Sequence, residues 1–274
     1  MSDARHSRSN DASLELIVRA PTGHVTVHET PLLFIHGAYT AAWCWEEFFL
    51  DWFAAQGYFS YALSLSGHGG SRGRRGLDGL SIQDYVNDVI EIVATLPEPP
   101  VLIGHSMGGF VVQKYLEQHL APAAVLLCSV PPQGLVSSMF GLMFQKPGLL
   151  VELNNLITGH RVSSQTLKEA LFAQPMALAD LQRYLSKAQG ESQRAIWDMT
   201  LFNLPRTMKV MRTPLKIMGA GRDHLIPPSL VHMTAMTYGQ EAEIFPDLGH
   251  GLMLERDWQT VAERIRDWLD EKEI

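Results

Sequence analysis

The sequence predicts an α/β protein: a mostly parallel, doubly wound sheet with helices on both faces and a helical insertion late in the chain. Three observations carry this. Unbroken apolar runs such as Leu32-Leu33-Phe34-Ile35 and Val101-Leu102-Ile103 mark strands buried on both faces. Segments with apolar residues at helical spacing alternate with those runs. The stretch 131–207 breaks the alternation. It carries helical patterns at Leu167 to Phe172 and Leu178 to Leu185, and is expected to be a lid inserted after the sixth strand.

Residues 1–12 are rich in Ser, Asp, Arg and His and are expected to form a flexible tail. Leu14 to Ala20 and His24 to His28 read as two short strands around Pro21-Thr22-Gly23, followed by the Leu32 to Ile35 strand. A helix is expected from Trp43 to Ala55, stopped by Gly57, then a strand from Phe59 to Leu65. Ser81-Ile82-Gln83-Asp84 resembles a capping box, and Ile82, Tyr85, Val86 and Val89 continue it at helical spacing. Val101 to Ile103 and Ala123 to Cys128 are the next strands, with a helix from Ser106 to Gln118 between them. After the insertion come a strand at Pro214 to Met218, a helix at Pro228 to Thr237 and a strand at Glu241 to Phe245. A last helix carries Trp258, Val261, Ile265, Trp268 and Leu269 on one face. The expected organisation is a core domain of 13–130 and 208–274 with the lid at 131–207.

With 274 residues, 46% of them hydrophobic, the chain can bury a full core without disulfides. Its net charge of −7 argues against a nucleic-acid partner, which needs cations to displace counterions from phosphates. Cys44 and Cys128 are too few for a secreted disulfide framework. No apolar run approaches the ~20 residues of a membrane span, and no signal-peptide pattern opens the chain, so a soluble cytoplasmic protein is expected. No His-Glu-x-x-His or Cys/His cluster points to a metal, and the loop Gly67 to Gly76 lacks the Gly-Lys-Ser/Thr of a phosphate-binding loop. Neither metal nor cofactor is expected, and Arg72, Arg74 and Arg75 read as a solvated loop. The sequence leaves the oligomeric state open.

The chemistry is carried by Gly104-His105-Ser106-Met107-Gly108, which joins a buried strand directly to a helix. A serine on such a turn has a strained backbone and an exposed hydroxyl, and side chains two before and two after it would collide with the turn. A serine nucleophile needs a base and an orienting carboxylate. His250, in Gly249-His250-Gly251, and Asp223, in Gly221-Arg222-Asp223, both follow strand-ends of the sheet and are the candidates. Asp247 is the alternative acid, and His36, His68, His105 and His224 are competing histidines. The developing oxyanion needs two donors, for which the backbone N–H groups of Ala38 and Met107 are expected, with Gly37 permitting the turn that aims the first. Met139, Phe140 and Met143 in the insertion are candidate substrate contacts.

His36-Gly37-Ala38, Ser66-Gly67-His68-Gly69-Gly70-Ser71, Gly104-His105-Ser106-Met107-Gly108-Gly109, Gly221-Arg222-Asp223 and Gly249-His250-Gly251 together resemble the motif series of the α/β-hydrolase superfamily. The resemblance spans Leu14 to Lys272 and implies an α/β-hydrolase fold with Ser106 as nucleophile, His250 as base, Asp223 as its partner and Ala38 and Met107 as oxyanion donors. One departure stands out: many members carry an acidic residue three positions before the Gly-x-Gly-x-Ser loop, where this chain has Ser64. The segment from His36 to Trp45 is also similar to the oxyanion region of plant-type methyl esterases and hydroxynitrile lyases. The expected activity is a serine hydrolase that cleaves a carboxylic ester or thioester of a small, largely apolar substrate through an acyl-enzyme. The alternatives are a carbon–carbon bond hydrolase or lyase on the same triad, and a catalytically silent ligand receptor.

Overall fold

The computed structural model describes residues 13–23, 25–136, 164–210 and 212–274. Their strands are β1 (Glu15–Arg19), β2 (Leu32–Ile35), β3 (Ser60–Ser64), β4 (Val101–His105), β5 (Ala124–Leu127), β6 (Leu215–Ala220) and β7 (Ala242–Phe245). They form one seven-stranded sheet in the order β1-β3-β2-β4-β5-β6-β7. Strand β1 runs antiparallel to β3, and the remaining neighbours are parallel.

The unbroken apolar runs have a direct physical cause. In β2, Leu32 and Phe34 point into one core with Trp45, Phe49 and Phe53, while Leu33 and Ile35 point into a second core with Tyr85 and Phe110. All four strand residues are fully buried, so no polar position is available to either face. The first core lies under α1 (Trp43–Glu46), α2 (Phe49–Ala55) and the last helix, the second under α3 (Ile82–Val93) and α4 (Met107–Tyr115).

Between β5 and β6 the described residues form α5 (Ser164–Leu171), α6 (Leu178–Lys187), α7 (Gln193–Trp197) and α8 (Thr207–Val210), with a π-helical turn at Asp198–Phe202. Phe172, Leu181 and Tyr184 join the first core and Ala195 and Met199 the second. After β6 come α9 (Pro228–Thr237), β7 and α10 (Trp258–Glu271). No helix among the described residues is long and apolar enough to cross a membrane.

Three expectations are corrected. Residues 25–28 are not a strand. They pass beside the turn after α2, held by the His28 N–H on the Gly57 carbonyl, 3.0 Å, with His28 stacked on Tyr58 and Val27 exposed. The insertion therefore follows the fifth strand of the chain, not the sixth. The expected Trp43 to Ala55 helix is also broken, because Phe48 adopts φ −143° and turns its ring onto Trp258.

Candidate active site

The loops that leave the carboxyl ends of the parallel strands meet on one edge of the sheet. Ser106, between β4 and α4, has φ 52° and ψ −116°, a conformation that L-residues avoid. The surrounding glycines show what fixes it. A Cβ on Gly104 would lie 2.5 Å from the Gly108 carbonyl oxygen, and a Cβ on Gly108 would lie 2.3 Å from the Ile35 carbonyl oxygen. The turn can form only where both side chains are absent.

The loop after β2 crosses this elbow. A Cβ on Gly37 would stand 3.0 Å from Ser106 Cβ and 2.8 Å from His105 Nδ1. The next residues, Ala38 and Tyr39, turn sharply, with Tyr39 at φ 64°. Among the described residues neither the Ala38 nor the Met107 N–H donates to a protein acceptor. Met107 opens α4, where the helix dipole adds positive potential.

Asp223 follows β6 and His250 follows β7. His250 Nδ1 lies 2.7 Å from Asp223 Oδ2, with both side chains buried. The other carboxylate oxygen, Oδ1, accepts the N–H groups of Leu225 at 2.8 Å and Ile226 at 2.9 Å. The carboxylate is thus held at both ends, and a carboxylate can only accept, so His250 Nδ1 carries the proton and Nε2 is left as the basic atom. Asp247, the alternative acid, is a surface residue paired with Arg222 at 3.1 Å.

His105 links the elbow to this pair. Its Nε2 donates to the His250 carbonyl at 2.9 Å, and the two rings lie 4.7 Å apart. Burial first, and then the neighbouring His250, push His105 well below its ordinary value, so it is a neutral spacer. Cys128 stands beside Asp223 at φ 43°; its thiol is pushed well above its ordinary value by burial and then by Asp223. Ligating atoms of Cys128, Asp223 and His250 lie within 4.8 Å of one another. The Asp223 oxygens are already filled by His250 and two N–H groups, so this cluster is a hydrogen-bonded carboxylate–imidazole pair with a packed thiol, a poor fit for a metal.

Residues that the sequence did not single out surround the loops. Glu255, almost fully buried, accepts the N–H groups of Gly249 and Ala173, both at 2.8 Å, and of Gln174 at 3.1 Å. It fastens the His250 loop to the end of α5. Glu191, from the segment before α7, lies 3.1 Å from His68 with both side chains fully buried. No periodicity or spacing marks an acid for burial when its partners come from distant loops. Arg72 is not freely solvated: it forks onto Glu91 and reaches Asp88, while Arg74 donates to the Gly67 carbonyl at 2.8 Å. Met139, Phe140 and Met143 lie outside the described residues.

Comparison with known proteins agrees with this architecture. Residues 32–264 match the family described as Alpha/beta hydrolase family. A monoacylglycerol lipase of Mycolicibacterium smegmatis is 21% identical over 225 residues, covering 79% of this chain and 80% of that protein. A protein phosphatase methylesterase 1 of Bos taurus is 30% identical over 135 residues, 46% of this chain; the match spans only 35% of that relative's length. An esterase from Exiguobacterium antarcticum superposes with a TM-score of 0.69 at 16% identity, covering 96% of this chain and 97% of its own. With the sheet, the elbow and the sequence match in agreement over most of its length, the chain belongs to the alpha/beta hydrolase family.

Proposed function

We propose that the protein is a serine hydrolase that cleaves a carboxylic ester or thioester of a small, largely apolar substrate through an acyl-enzyme. The observation that carries this reading is the buried 2.7 Å contact between Asp223 and His250, tied through His105 to the Ser106 elbow. Relatives named as lipase and methylesterase support the ester class.

In this mechanism His250 Nε2 takes the proton from Ser106 Oγ as the oxygen attacks the substrate carbonyl. The Ala38 and Met107 N–H groups receive the oxyanion, and Asp223 steadies the imidazolium. Collapse expels the leaving alcohol or thiol, which takes its proton from His250. Water activated by the same nitrogen then releases the acid and restores Ser106. The segment between β5 and β6 is read as the lid over this edge of the sheet, its residues 137–163 lying outside the described ones. Two buried, unpaired cysteines fit a reducing compartment, and we read the protein as cytoplasmic.

Ser106→Ala is expected to lower turnover of p-nitrophenyl acyl esters by ~10⁴-fold or more while the fold is kept. Incubation of the native protein with substrate should leave an acyl mass on the Ser106 peptide. An active Ser106→Ala protein defeats the reading. A folded native protein that turns over no ester and never reacts with a fluorophosphonate supports the silent receptor instead.

A further inference from the structure

We propose that Glu191, supplied by the helical insertion, is a positioning residue for the oxyanion loop: it pins the His68 ring beside His36, whose Nδ1–H, together with the Thr40 hydroxyl, grips the Gly37 carbonyl and thereby aims the Ala38 N–H. The inference rests on the proposed function above, because it takes that N–H as an oxyanion donor.

The Gly37 carbonyl and the Ala38 N–H belong to one peptide group, and in a trans peptide they point in opposite directions. The carbonyl oxygen accepts from His36 Nδ1 at 2.8 Å and from Thr40 Oγ1 at 2.9 Å. Both of its lone pairs are engaged, so the peptide cannot flip without losing two hydrogen bonds. Bonds to the carbonyl also polarise the peptide and strengthen its N–H as a donor. His36 can make this contact only as the Nδ1–H tautomer, and that form is selected by the Leu65 N–H, which donates to Nε2 at 3.1 Å.

His68 keeps His36 in that state. The two rings lie 5.1 Å apart. His68 Nδ1 faces the Ser66 carbonyl at 3.1 Å and Nε2 lies 3.1 Å from Glu191 Oε2, and neither oxygen can donate. The Nε2–Oε2 contact is an ion pair without hydrogen-bond alignment; burial opposes charge on the ring but the Glu191 carboxylate favours it, and an imidazolium here opposes a second proton on its neighbour. Burial first, and then His68, push His36 down to about 3. Glu191 is itself anchored: its Oε1 accepts from Tyr85 Oη and from the Ser192 N–H, both at 2.7 Å. The same stretch grips the next loop residue, since the Gln189 N–H donates to the Tyr39 carbonyl at 2.9 Å and Gln189 Oε1 accepts from the Gly69 N–H at 2.9 Å.

Glu191→Gln keeps the volume and an oxygen for Tyr85 and Ser192 but removes the charge opposite His68. An aimed donor acts on the transition state, so kcat should fall ~10-fold per titrated active site while KM stays within about twofold. Affinity for a trifluoromethyl ketone, whose adduct mimics the oxyanion, should fall by the same factor as kcat/KM. A folded Glu191→Gln protein with unchanged kcat overturns the proposal, as does a variant whose KM alone rises. Should Glu191→Gln fail to fold, Thr40→Val, which removes one of the two grips at constant volume, must give the same loss in kcat at constant KM; full activity there overturns it equally. Ser106→Ala run alongside separates the two claims: its activity would defeat the hydrolase reading, whereas an inactive Ser106→Ala beside a fully active Glu191→Gln defeats only this one.

Discussion

At the scale of single residues, sterics made part of the site legible and burial concealed the rest. Gly104 and Gly108 are readable because a Cβ at either would lie about 2.5 Å from a backbone oxygen, and Ser106 is readable as the residue held between them. His250 and Asp223 are readable as loop residues after strands; Asp223 stands against His250 in the structure, while the alternative, Asp247, pairs with Arg222 at the surface. Asp223→Asn should lower kcat by ~10⁴-fold with little loss of stability, measured by ester turnover and urea unfolding. The amide oxygen can still accept from Leu225 and Ile226, but its NH₂ would force His250 Nδ1 to accept, placing the proton on Nε2 where a base is needed. The Glu191–His68 pair was invisible because its burial depends on four separate segments. Burial opposes its charges; His68, Tyr85 and Ser192 nonetheless hold Glu191 below its usual 4.5, and Glu191 and Ser66 hold His68 above its usual 6.5. A lowered acid stabilises above its unfolded value and loses that contribution as pH falls. A raised histidine stabilises below its unfolded value and loses it as pH rises through the folded one. The stability difference between native protein and Glu191→Gln should therefore be greatest from about pH 4.5 to 6.5 and shrink on either side, as thermal unfolding across pH would show.

At the scale of elements, local rules worked where the element is local. The Ser81 cap is reciprocal, with Ser81 Oγ accepting from the Asp84 N–H at 3.2 Å and Asp84 Oδ2 accepting from the Ser81 N–H at 2.8 Å. The α9 bounds match the reading from sequence because Pro228 starts the helix without needing an N–H. Failures occurred where tertiary contacts decide. His24 to His28, after the Pro21-Thr22-Gly23 turn, suggested a strand, but the Gly57 turn captures residues 25–28, and a Cβ on Gly57 would come within 2.1 Å of the Thr26 carbonyl oxygen. Glu255 belongs to this scale, because one carboxylate joins the loop before the 3₁₀ turn at Leu252–Leu254 to the end of α5. Glu255→Ala strands three buried or half-buried N–H groups and should cost ~3 kcal/mol or more in urea unfolding, with kcat falling as the His250 loop loosens.

At the scale of the whole molecule, a mostly parallel sheet with helices on both faces followed from the alternation of runs and helices, whereas the strand order β1-β3-β2-β4-β5-β6-β7 did not. How the insertion is attached did not, since it is fastened by buried acids whose partners lie far away in sequence. The Ser64 departure finds its physical answer here too. Glu15, on the antiparallel edge strand β1 opposite Ser64, brings its Oε2 within 2.5 Å of the Ser64 hydroxyl, which in turn accepts the Ala42 N–H at 3.0 Å. A Cβ on Gly69 would lie 2.1 Å from that same carboxylate oxygen. An acidic side chain supplied by β1 thus occupies the space beside Ser64 and Gly69. Ser64→Asp alone should be poorly tolerated, with two carboxylates sharing one niche, whereas Glu15→Ser combined with Ser64→Asp should recover most of the lost melting temperature: the niche would then be shown to need one carboxylate, whichever strand supplies it.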